Sequence, residues 1–345
     1  MYPKVTACVY RLIVYGALSL LLAVAGGASR AVAETVIKVA LITPEGSTWT
    51  NALYALADEV KSRTAGEVVF QVYAGGVSGD ETDVLRKMRV NRVHAAGFSG
   101  VGLGFLDPEI RILEAPLLYR SYAEVDRVKD RLYDRFAAGF EKAGYILLGF
   151  AEAGFVYFFA IEKMTGPDGF DPLKMWVWKG DPVAQTTLEA FGIHAVPLHV
   201  SDVNTGLETG MINAFYSPPL AATHFQWYAK VRYMLDYPMV NSTGAFLIKK
   251  DIFMQLSPEN RRILRASSRR FCDDLIQLAR KENAEARQVL ADSGIVFEKP
   301  TSDQLARFEK QAHVIYDANI GRLYPRELFD RVQALLQEYR RENGN

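Results

Sequence analysis

Residues 171–219 constrain the fold more than any other part of the chain. They alternate three short apolar runs with two helical patterns of about ten residues, which predicts a β-α-β-α-β unit with a parallel sheet. Asp181 and Pro182 suit the N-cap and first position of the first helix, and Gly192 suits its end. Ligands bind outside the carboxyl ends of the strands in such sheets. The unit therefore predicts the position of a binding pocket.

The predicted carboxyl ends of these strands are aromatic. They carry Trp176, Trp178, Phe215 and Tyr216. A pocket built at this edge of the sheet would present aromatic side chains to its ligand.

The first 33 residues are predicted to be a cleaved secretory signal peptide. Lys4 and Arg11 provide the positive charge, residues 12–25 the apolar run, and residues 31–33 an A-x-A cleavage site. The mature protein is therefore expected to be soluble and exported to the periplasm.

Charge and cysteine content exclude several classes of function. The chain has 40 basic and 40 acidic residues, and Lys4, Arg11 and Arg30 fall within the predicted signal peptide. The remaining 37 basic and 40 acidic residues provide no positive excess for binding nucleic acid or anionic lipid. Only Cys272 follows the signal peptide, so no intramolecular disulfide is expected.

The length of the mature chain predicts two lobes. About 310 residues, nearly half of them apolar, exceed what one hydrophobic core usually holds. We predict a first lobe from residues 34–153 and 242–281 and a second lobe from residues 154–241 and 282–345. Two strands, at residues 145–150 and 155–160, are expected to flank the crossing between the lobes.

One helix is expected to run along both lobes. Ser257 and Pro258 suit its start, and the helical pattern continues to residue 293. At 1.5 Å per residue, such a helix would extend about 55 Å, which exceeds the ~30 Å diameter of a lobe. Its predicted buried face carries Leu264, Phe271, Leu275, Leu278 and Val289.

The sequence has no arrangement that is typical of an enzyme. It contains no G-x-S-x-G, H-E-x-x-H or C-x-x-C motif. His194 and His199 would point to opposite faces of a β segment, which argues against a metal pair. We therefore predict a binding protein without catalytic residues, metal or cofactor.

From residue 39 to about residue 264, and more loosely to the C-terminus, the sequence resembles the extracytoplasmic solute receptors of TRAP transporters, the DctP family. The similarity rests on five blocks of sequence: YAGG at residues 73–76 with GDE at 79–81, EAPLL at 114–118, GYILLG at 144–149, LKMWV at 173–177 and LETGMIN at 207–213. The resemblance implies an α/β fold of two lobes that close on a small solute, which then passes to a membrane permease.

The sequence departs from this family where its acid-binding members place arginines. Trp176 and Val156 occupy those two positions, and aromatic residues replace the family's polar run before Pro218. Burying a carboxylate without its arginine would cost about 3–5 kcal/mol. Burying ~300 Å² of apolar ligand surface would contribute about 7 kcal/mol before the costs of association. The balance predicts an uncharged or apolar ligand.

The predicted ligand-binding residues are eight aromatic side chains and three polar ones that would orient the ligand. They are Trp176, Trp178, Phe155, Tyr157, Phe215, Tyr216, Trp49, Phe98, Asn213, Ser217 and Asn241. One alternative keeps a carboxylate ligand and uses Lys179 or Arg89 in place of the missing arginines. Another is a receptor that presents its ligand to a helical-repeat partner protein instead of to permease subunits.

Overall fold

The computed structural model describes residues 34–165 and 169–344. The predicted signal peptide therefore lies outside the described residues. Within these ranges, no helix combines the length and the apolar character that crossing a membrane requires.

The described residues form ten strands and twelve α-helices, with three short 3₁₀ segments at Pro108–Glu114, Val200–Asp202 and Trp227–Lys230. The strands are β1 (Thr35–Ala40), β2 (Val68–Tyr73), β3 (Ala95–Ser99), β4 (Tyr145–Ala160), β5 (Lys174–Trp178), β6 (His194–Leu198), β7 (Ala214–Ser217), β8 (Tyr233–Leu235), β9 (Val240–Lys249) and β10 (Val296–Glu298). The helices are α1 (Thr48–Arg63), α2 (Glu81–Arg89), α3 (Gly100–Gly104), α4 (Tyr122–Arg131), α5 (Tyr133–Lys142), α6 (Pro182–Phe191), α7 (Val203–Glu208), α8 (Pro219–His224), α9 (Lys250–Gln255), α10 (Pro258–Asp292), α11 (Ser302–Asn319) and α12 (Arg326–Glu342).

Strand β4 joins two mixed sheets. In the first sheet the order is β2-β1-β3-β9-β4, with β1 parallel to β2 and β3 and with β9 antiparallel to β3 and β4. In the second sheet the order is β4-β7-β5-β6, and β8 pairs with β4 and with β10. The pairing of β4 changes from β9 to β7 between Val156 and Tyr157. This arrangement is the predicted two-lobed α/β fold.

The β-α-β-α-β unit predicted from residues 171–219 is present as β5-α6-β6-α7-β7. Asp181 caps α6 by accepting hydrogen bonds from the backbone N–H groups of Val183 and Ala184, at 3.0 and 3.2 Å. Gly192 ends the helix with a φ of 72°, a left-handed conformation that favours glycine. The structure therefore confirms both ends of this helix as the local sequence predicted them.

The prediction of two strands around residues 151–154 is wrong, because β4 is continuous. It pairs with β9 across this region, and β-bulges interrupt the register between Leu147 and Gly149 and between Glu152 and Gly154. Gly154 has a φ of 107°, which only glycine adopts without strain. The chain thus crosses between the sheets as a bent strand.

Helix α10 packs on both sheets, as predicted. Its 35 residues extend about 52 Å, and the Ser257 hydroxyl caps it by accepting a hydrogen bond from the N–H of Asn260 at 3.1 Å. Leu264 lies in the core of the first sheet, and Leu290 lies in the core of the second sheet beside Phe215. Leu278 and Val289 were predicted to face the core, but they are 40% and 48% exposed, because the buried face passes through Ala279 and Leu290 instead.

The contacts of the last helix, α12, indicate the lobe to which it belongs. The division of the chain into two lobes itself stays a prediction. Leu328, Val332 and Leu336 of α12 pack in the same core as Val125 of α4, a residue within the predicted first lobe. Arg340 of α12 also pairs with a carboxylate of α4. We therefore propose that α12 belongs with the first lobe, although the sequence predicted it as part of the second.

The role of α10 can be tested by shortening side chains along it. Leu264→Ala and Leu290→Ala should each lower the free energy of unfolding by about 2–5 kcal/mol, because each leaves a cavity in a different core. Urea denaturation followed by circular dichroism measures this change. Val289→Ala is the matched control and should change stability by less than about 0.5 kcal/mol. An equal effect of Leu290→Ala and Val289→Ala would contradict the packing of α10 on the second sheet.

Candidate functional site

A cavity of about 200 Å³ lies between the two sheets. Trp49 of α1 and Phe98 of β3 line it from the side of the first sheet, and Trp176 of β5 and Tyr216 of β7 line it from the second sheet. It is therefore placed where residues at the carboxyl ends of β5 and β7 meet the other sheet.

Six of the predicted ligand-binding residues line this cavity. They are Trp49, Phe98, Trp176, Trp178, Tyr216 and Ser217. Trp176 is the centre of an aromatic cluster, because its ring stacks on Tyr216 at 5.1 Å and meets the edge of Trp227 at 5.1 Å. Its indole N–H donates to the backbone oxygen of Leu198 at 3.1 Å, so the buried ring leaves no polar atom unpaired.

The three predicted aromatic residues that do not line the cavity pack elsewhere. Phe155 packs against Tyr122, with ring centres 4.7 Å apart, whereas its neighbour Val156 faces the cavity. Tyr157 lies under the guanidinium of Arg287 at 5.2 Å. The fully buried ring of Phe215 stacks on Phe159 at 4.9 Å, so it contributes to the core of the second sheet.

Two predicted polar residues also lie away from the cavity. Asn213 is at the amino-terminal side of β7, where its side chain donates to Pro172 and accepts from the N–H of Lys174. Asn241 is almost fully buried in β9, and its amide has no hydrogen-bond partner among the described residues. Neither residue lines this cavity.

The sequence analysis missed Phe225 and Trp227, which line the cavity and stack on each other at 5.0 Å. The pattern predicts one helix over residues 220–229, but α8 ends at His224 and Gln226 adopts a left-handed φ of 58°. A 3₁₀ turn follows. No sequence signal marks this break, because glutamine rarely adopts such a conformation.

The cavity lining has no basic side chain among the described residues. Lys179 and Arg89, the two candidate partners for a carboxylate ligand, are exposed and do not line it. Of the two acids in the lining, Glu152 is paired with Arg280, whose Nε lies 2.5 Å from one carboxylate oxygen and whose Nη2 lies 2.9 Å from the other. The lining therefore offers no cation to an anionic ligand.

The second acid, Glu81, is buried and has no cationic partner among the residues that the structure describes. Its carboxyl group accepts hydrogen bonds from the Ser99 N–H at 2.6 Å, the Ser99 hydroxyl at 2.9 Å and the Gly102 N–H at 2.7 Å. Burial raises the pKa of Glu81 to about 8, and the neighbouring Asp80 contributes in the same direction. Glu81 is consequently mostly protonated at neutral pH.

A smaller cavity of about 80 Å³ adjoins the first and is polar on one side. It is lined by Arg111, Glu114 and Asp181, which form a buried group of charges. The Arg111 guanidinium lies 2.9 Å from Glu114 and 2.6 Å from Asp181. Burial raises the pKa of Glu114 to about 7, although the positive charge of Arg111 opposes this shift.

Polar contacts near these cavities connect the two sides of the site. Asp80, the N-cap residue of α2, accepts hydrogen bonds from the indole N–H of Trp178 at 3.1 Å. The same carboxylate lies 2.8 Å from Nδ1 of His199. These contacts hold the two sides together.

A model of the DctP family, described as bacterial extracellular solute-binding protein, family 7, matches residues 39–321. The chain belongs to the DctP family. This result confirms the family resemblance in the sequence.

Known relatives of this DctP-family protein are distant in sequence but similar in fold. A solute-binding protein of Chromohalobacter salexigens is 23% identical over 274 residues, which cover 77% of this chain and 79% of that protein. The ectoine-binding periplasmic protein TeaA of Halomonas elongata is 22% identical over 79% of this chain and 82% of that protein. The crystal structure of a sugar acid binding protein of Advenella mimigardefordensis, in complex with galactonate, superposes with a TM-score of 0.83 and 17% identity, covering 89% of this chain and 99% of that chain.

The raised pKa of Glu81 makes a prediction about stability. The folded protein binds the Glu81 proton more tightly than the unfolded chain, so between the ordinary pKa of 4.5 and about 8 this group's contribution to stability falls as pH rises. Glu81→Gln should therefore be most destabilising at pH 5, and the loss should shrink by about 2–4 kcal/mol by pH 8. Urea denaturation across this pH range measures the change.

Glu124→Gln provides a control with the opposite sign. Burial alone would raise the pKa of Glu124, but hydrogen bonds from Arg340 and the Arg120 N–H hold it below its ordinary value. The contribution of Glu124 to the stability of the fold is lost only as pH falls below about 4.5. The substitution should therefore destabilise the protein equally at pH 5 and pH 8. A pH-independent effect of Glu81→Gln would show that Glu81 is ionised in the folded protein.

Proposed function

We propose that this protein is the periplasmic receptor of a TRAP-type transporter and that it captures a small, uncharged or apolar ligand between its lobes. The observation that carries the proposal is the aromatic cavity at Trp176, whose described lining contains no lysine, arginine or histidine. Membership of a solute-binding family supports a receptor instead of an enzyme. The permease subunits of the transporter are the partners that this function requires.

Electrostatics argue against a small hydrophilic acid as the ligand. A buried carboxylate without a cation costs about 3–5 kcal/mol, and the aromatic rings that surround the cavity cannot offset this cost. The relative from Advenella mimigardefordensis holds galactonate, a sugar acid. The described lining of the cavity in this chain offers no cation to such an acid, and its substrate class is therefore proposed to differ.

The size of the cavity limits the ligand. An apolar cavity of about 150 Å³ holds one benzene molecule. The cavity of about 200 Å³ would therefore hold about eight to ten non-hydrogen atoms. An aromatic or branched aliphatic compound of this size fits the proposal.

A carboxylate ligand held by Lys179 or Arg89 has less support. Both residues are exposed and lie outside the cavity lining, so neither compensates for the missing arginines in this conformation. No observation on the described residues favours a helical-repeat partner protein over permease subunits. The periplasmic location rests on the family and on the predicted signal peptide.

A ligand screen tests the proposed class of solute. Apolar and aromatic compounds of about ten non-hydrogen atoms should raise the melting temperature, whereas dicarboxylates and sugar acids should not. A ligand at about 100 times its dissociation constant stabilises the folded state by ~2.7 kcal/mol, which thermal-shift measurement resolves. Native mass spectrometry of the purified protein would identify a co-purified molecule. Strong stabilisation by a dicarboxylate or sugar acid would refute the proposed ligand class.

Trp176→Arg tests the role of the aromatic cluster. The substitution places an unpaired cation in a desolvated, aromatic environment, so affinity for the apolar ligand found in the screen should fall at least about tenfold. Isothermal titration calorimetry measures this change. Trp176→Phe keeps an aromatic ring and should retain affinity within about fivefold. Unchanged affinity in Trp176→Arg would show that the ligand binds elsewhere.

A further inference from the structure

The polar cavity, lined by Arg111, Glu114 and Asp181, and the aromatic cavity around Trp176 share part of their lining. Ser99, Val156, Trp178, Tyr216 and Ser242 line both of them. Tyr216 presents an aromatic ring to one cavity and a polar hydroxyl group to the other. Its ring stacks on Trp176 in the aromatic cavity, and its hydroxyl donates to Asp181 beside the polar cavity at 3.3 Å. The aromatic cavity and the polar cavity are therefore neighbours that meet at Tyr216.

Arg111 is the cation of this polar cavity. Its side chain is only 3% exposed, and its Nη2 donates to Asp181 at 2.6 Å. Neither Nε nor Nη1 has an acceptor in hydrogen-bonding geometry among the described residues, although Nη1 lies close to Glu114. Buried donors without acceptors are unfavourable, so an oxygen atom of water or of a ligand is expected there.

The size of the polar cavity suits a carboxylate group. A water molecule occupies about 30 Å³ in the liquid. The volume of about 80 Å³ therefore corresponds to two or three non-hydrogen atoms, which is the size of a carboxylate. A planar carboxylate also matches the two neighbouring donors of a guanidinium group.

We propose that Arg111 binds the single acidic group of an otherwise apolar ligand, and that Glu114 is protonated when the ligand carboxylate is bound. This inference rests on the proposed function and narrows its ligand to apolar molecules with one acidic group. The aromatic cavity would hold the apolar body, and the polar cavity would hold the head group.

Charge balance around Arg111 is the reason why Glu114 would take up a proton when a carboxylate binds. In the free protein two carboxylates, Glu114 and Asp181, surround one arginine. A ligand carboxylate would add a third negative charge unless Glu114 takes up a proton from solvent. Because the pKa of Glu114 is already raised to about 7, this uptake needs little further change in its environment. The ligand carboxylate then replaces the charge of Glu114 beside Arg111.

Ionisable groups other than Glu114 also surround Arg111, and their titration must be separated from that of Glu114 in a test. They are Asp181 at the N-cap of α6, Tyr216 on β7, Glu81 on α2 and Tyr324 before α12. The two tyrosines have raised pKa values because they are buried, so they stay neutral below pH 9. Glu81, with a pKa of about 8, is the group that would add a pH dependence of its own.

The test compares phenylacetate with its neutral isostere phenylacetamide, since both have the size that the site allows. Wild-type protein should bind phenylacetate with an affinity that falls about tenfold between pH 6 and pH 8, because binding requires protonated Glu114. Titration calorimetry in two buffers with different ionisation enthalpies should show uptake of nearly one proton at pH 8. Phenylacetamide should bind without proton uptake.

Three variants assign the effect. Arg111→Gln should weaken phenylacetate at least about tenfold and change phenylacetamide less than about threefold. Glu114→Gln should abolish the proton uptake and leave phenylacetate affinity constant within about twofold from pH 6 to pH 8, the remainder being due to Glu81. Arg340→Gln, which removes an arginine–glutamate pair that lines neither cavity, is the control and should leave both affinities unchanged.

Several outcomes would overturn the inference. Equal phenylacetate affinities in wild type and Arg111→Gln would exclude the arginine, and identical pH profiles in wild type and Glu114→Gln would exclude the proton uptake. If Arg111→Gln fails to fold, the pH profile and the proton uptake of Glu114→Gln still test the inference. If phenylacetamide binds but phenylacetate does not depend on Arg111, only this inference fails. If neither compound binds and the wider screen finds no apolar ligand, the proposed function fails as well.

Discussion

The close crossing of α10 over β4 determines the arrangement of the rest of the structure. A Cβ atom at Gly149 would lie 2.7 Å from Cβ and Sγ of Cys272, so only glycine allows the helix to approach the strand this closely. Farther along, Asn283 accepts a hydrogen bond from the N–H of Leu220 and donates to the backbone oxygen of Ala153. The helix thus fixes the bent strand and α8 together, and with them the walls of the cavity.

The same crossing controls where charge is available. Arg280 of α10 contacts Glu152, a residue of the cavity wall, and is paired with both Glu152 and Asp126. Arg111 is similarly held by carboxylates behind Tyr216. Both arginines are paired outside the aromatic cavity. The protein therefore has buried charged groups next to the aromatic cavity. A ligand either makes no contact with these groups or replaces one member of an ion pair.

The glycines at the start of α3 explain how two carboxyl groups are accommodated beside the site. A Cβ atom at Gly100 would overlap the carboxyl group of Glu114, and one at Gly102 would lie 2.6 Å from an oxygen of Glu81. These residues belong to a glycine-rich segment that follows β3 and that lacks the lysine of a phosphate-binding loop. Their small size makes room for protein carboxyl groups, both of which have raised pKa values.

The sequence by itself determined the features that depend on neighbours in the chain. These include the β-α-β-α-β unit, the capped start and end of α6, the length of α10 and the aromatic character of the cavity around Trp176. It did not determine which residues of β4 face the cavity, because two β-bulges shift the alternation and bring Val156, instead of Phe155, to that face. It also did not reveal the contact of Arg111 with Asp181, which are 70 residues apart. Local patterns fix helices and strands, whereas the pairing of distant charges and the register of a bent strand are decided only when the sheets and α10 pack together.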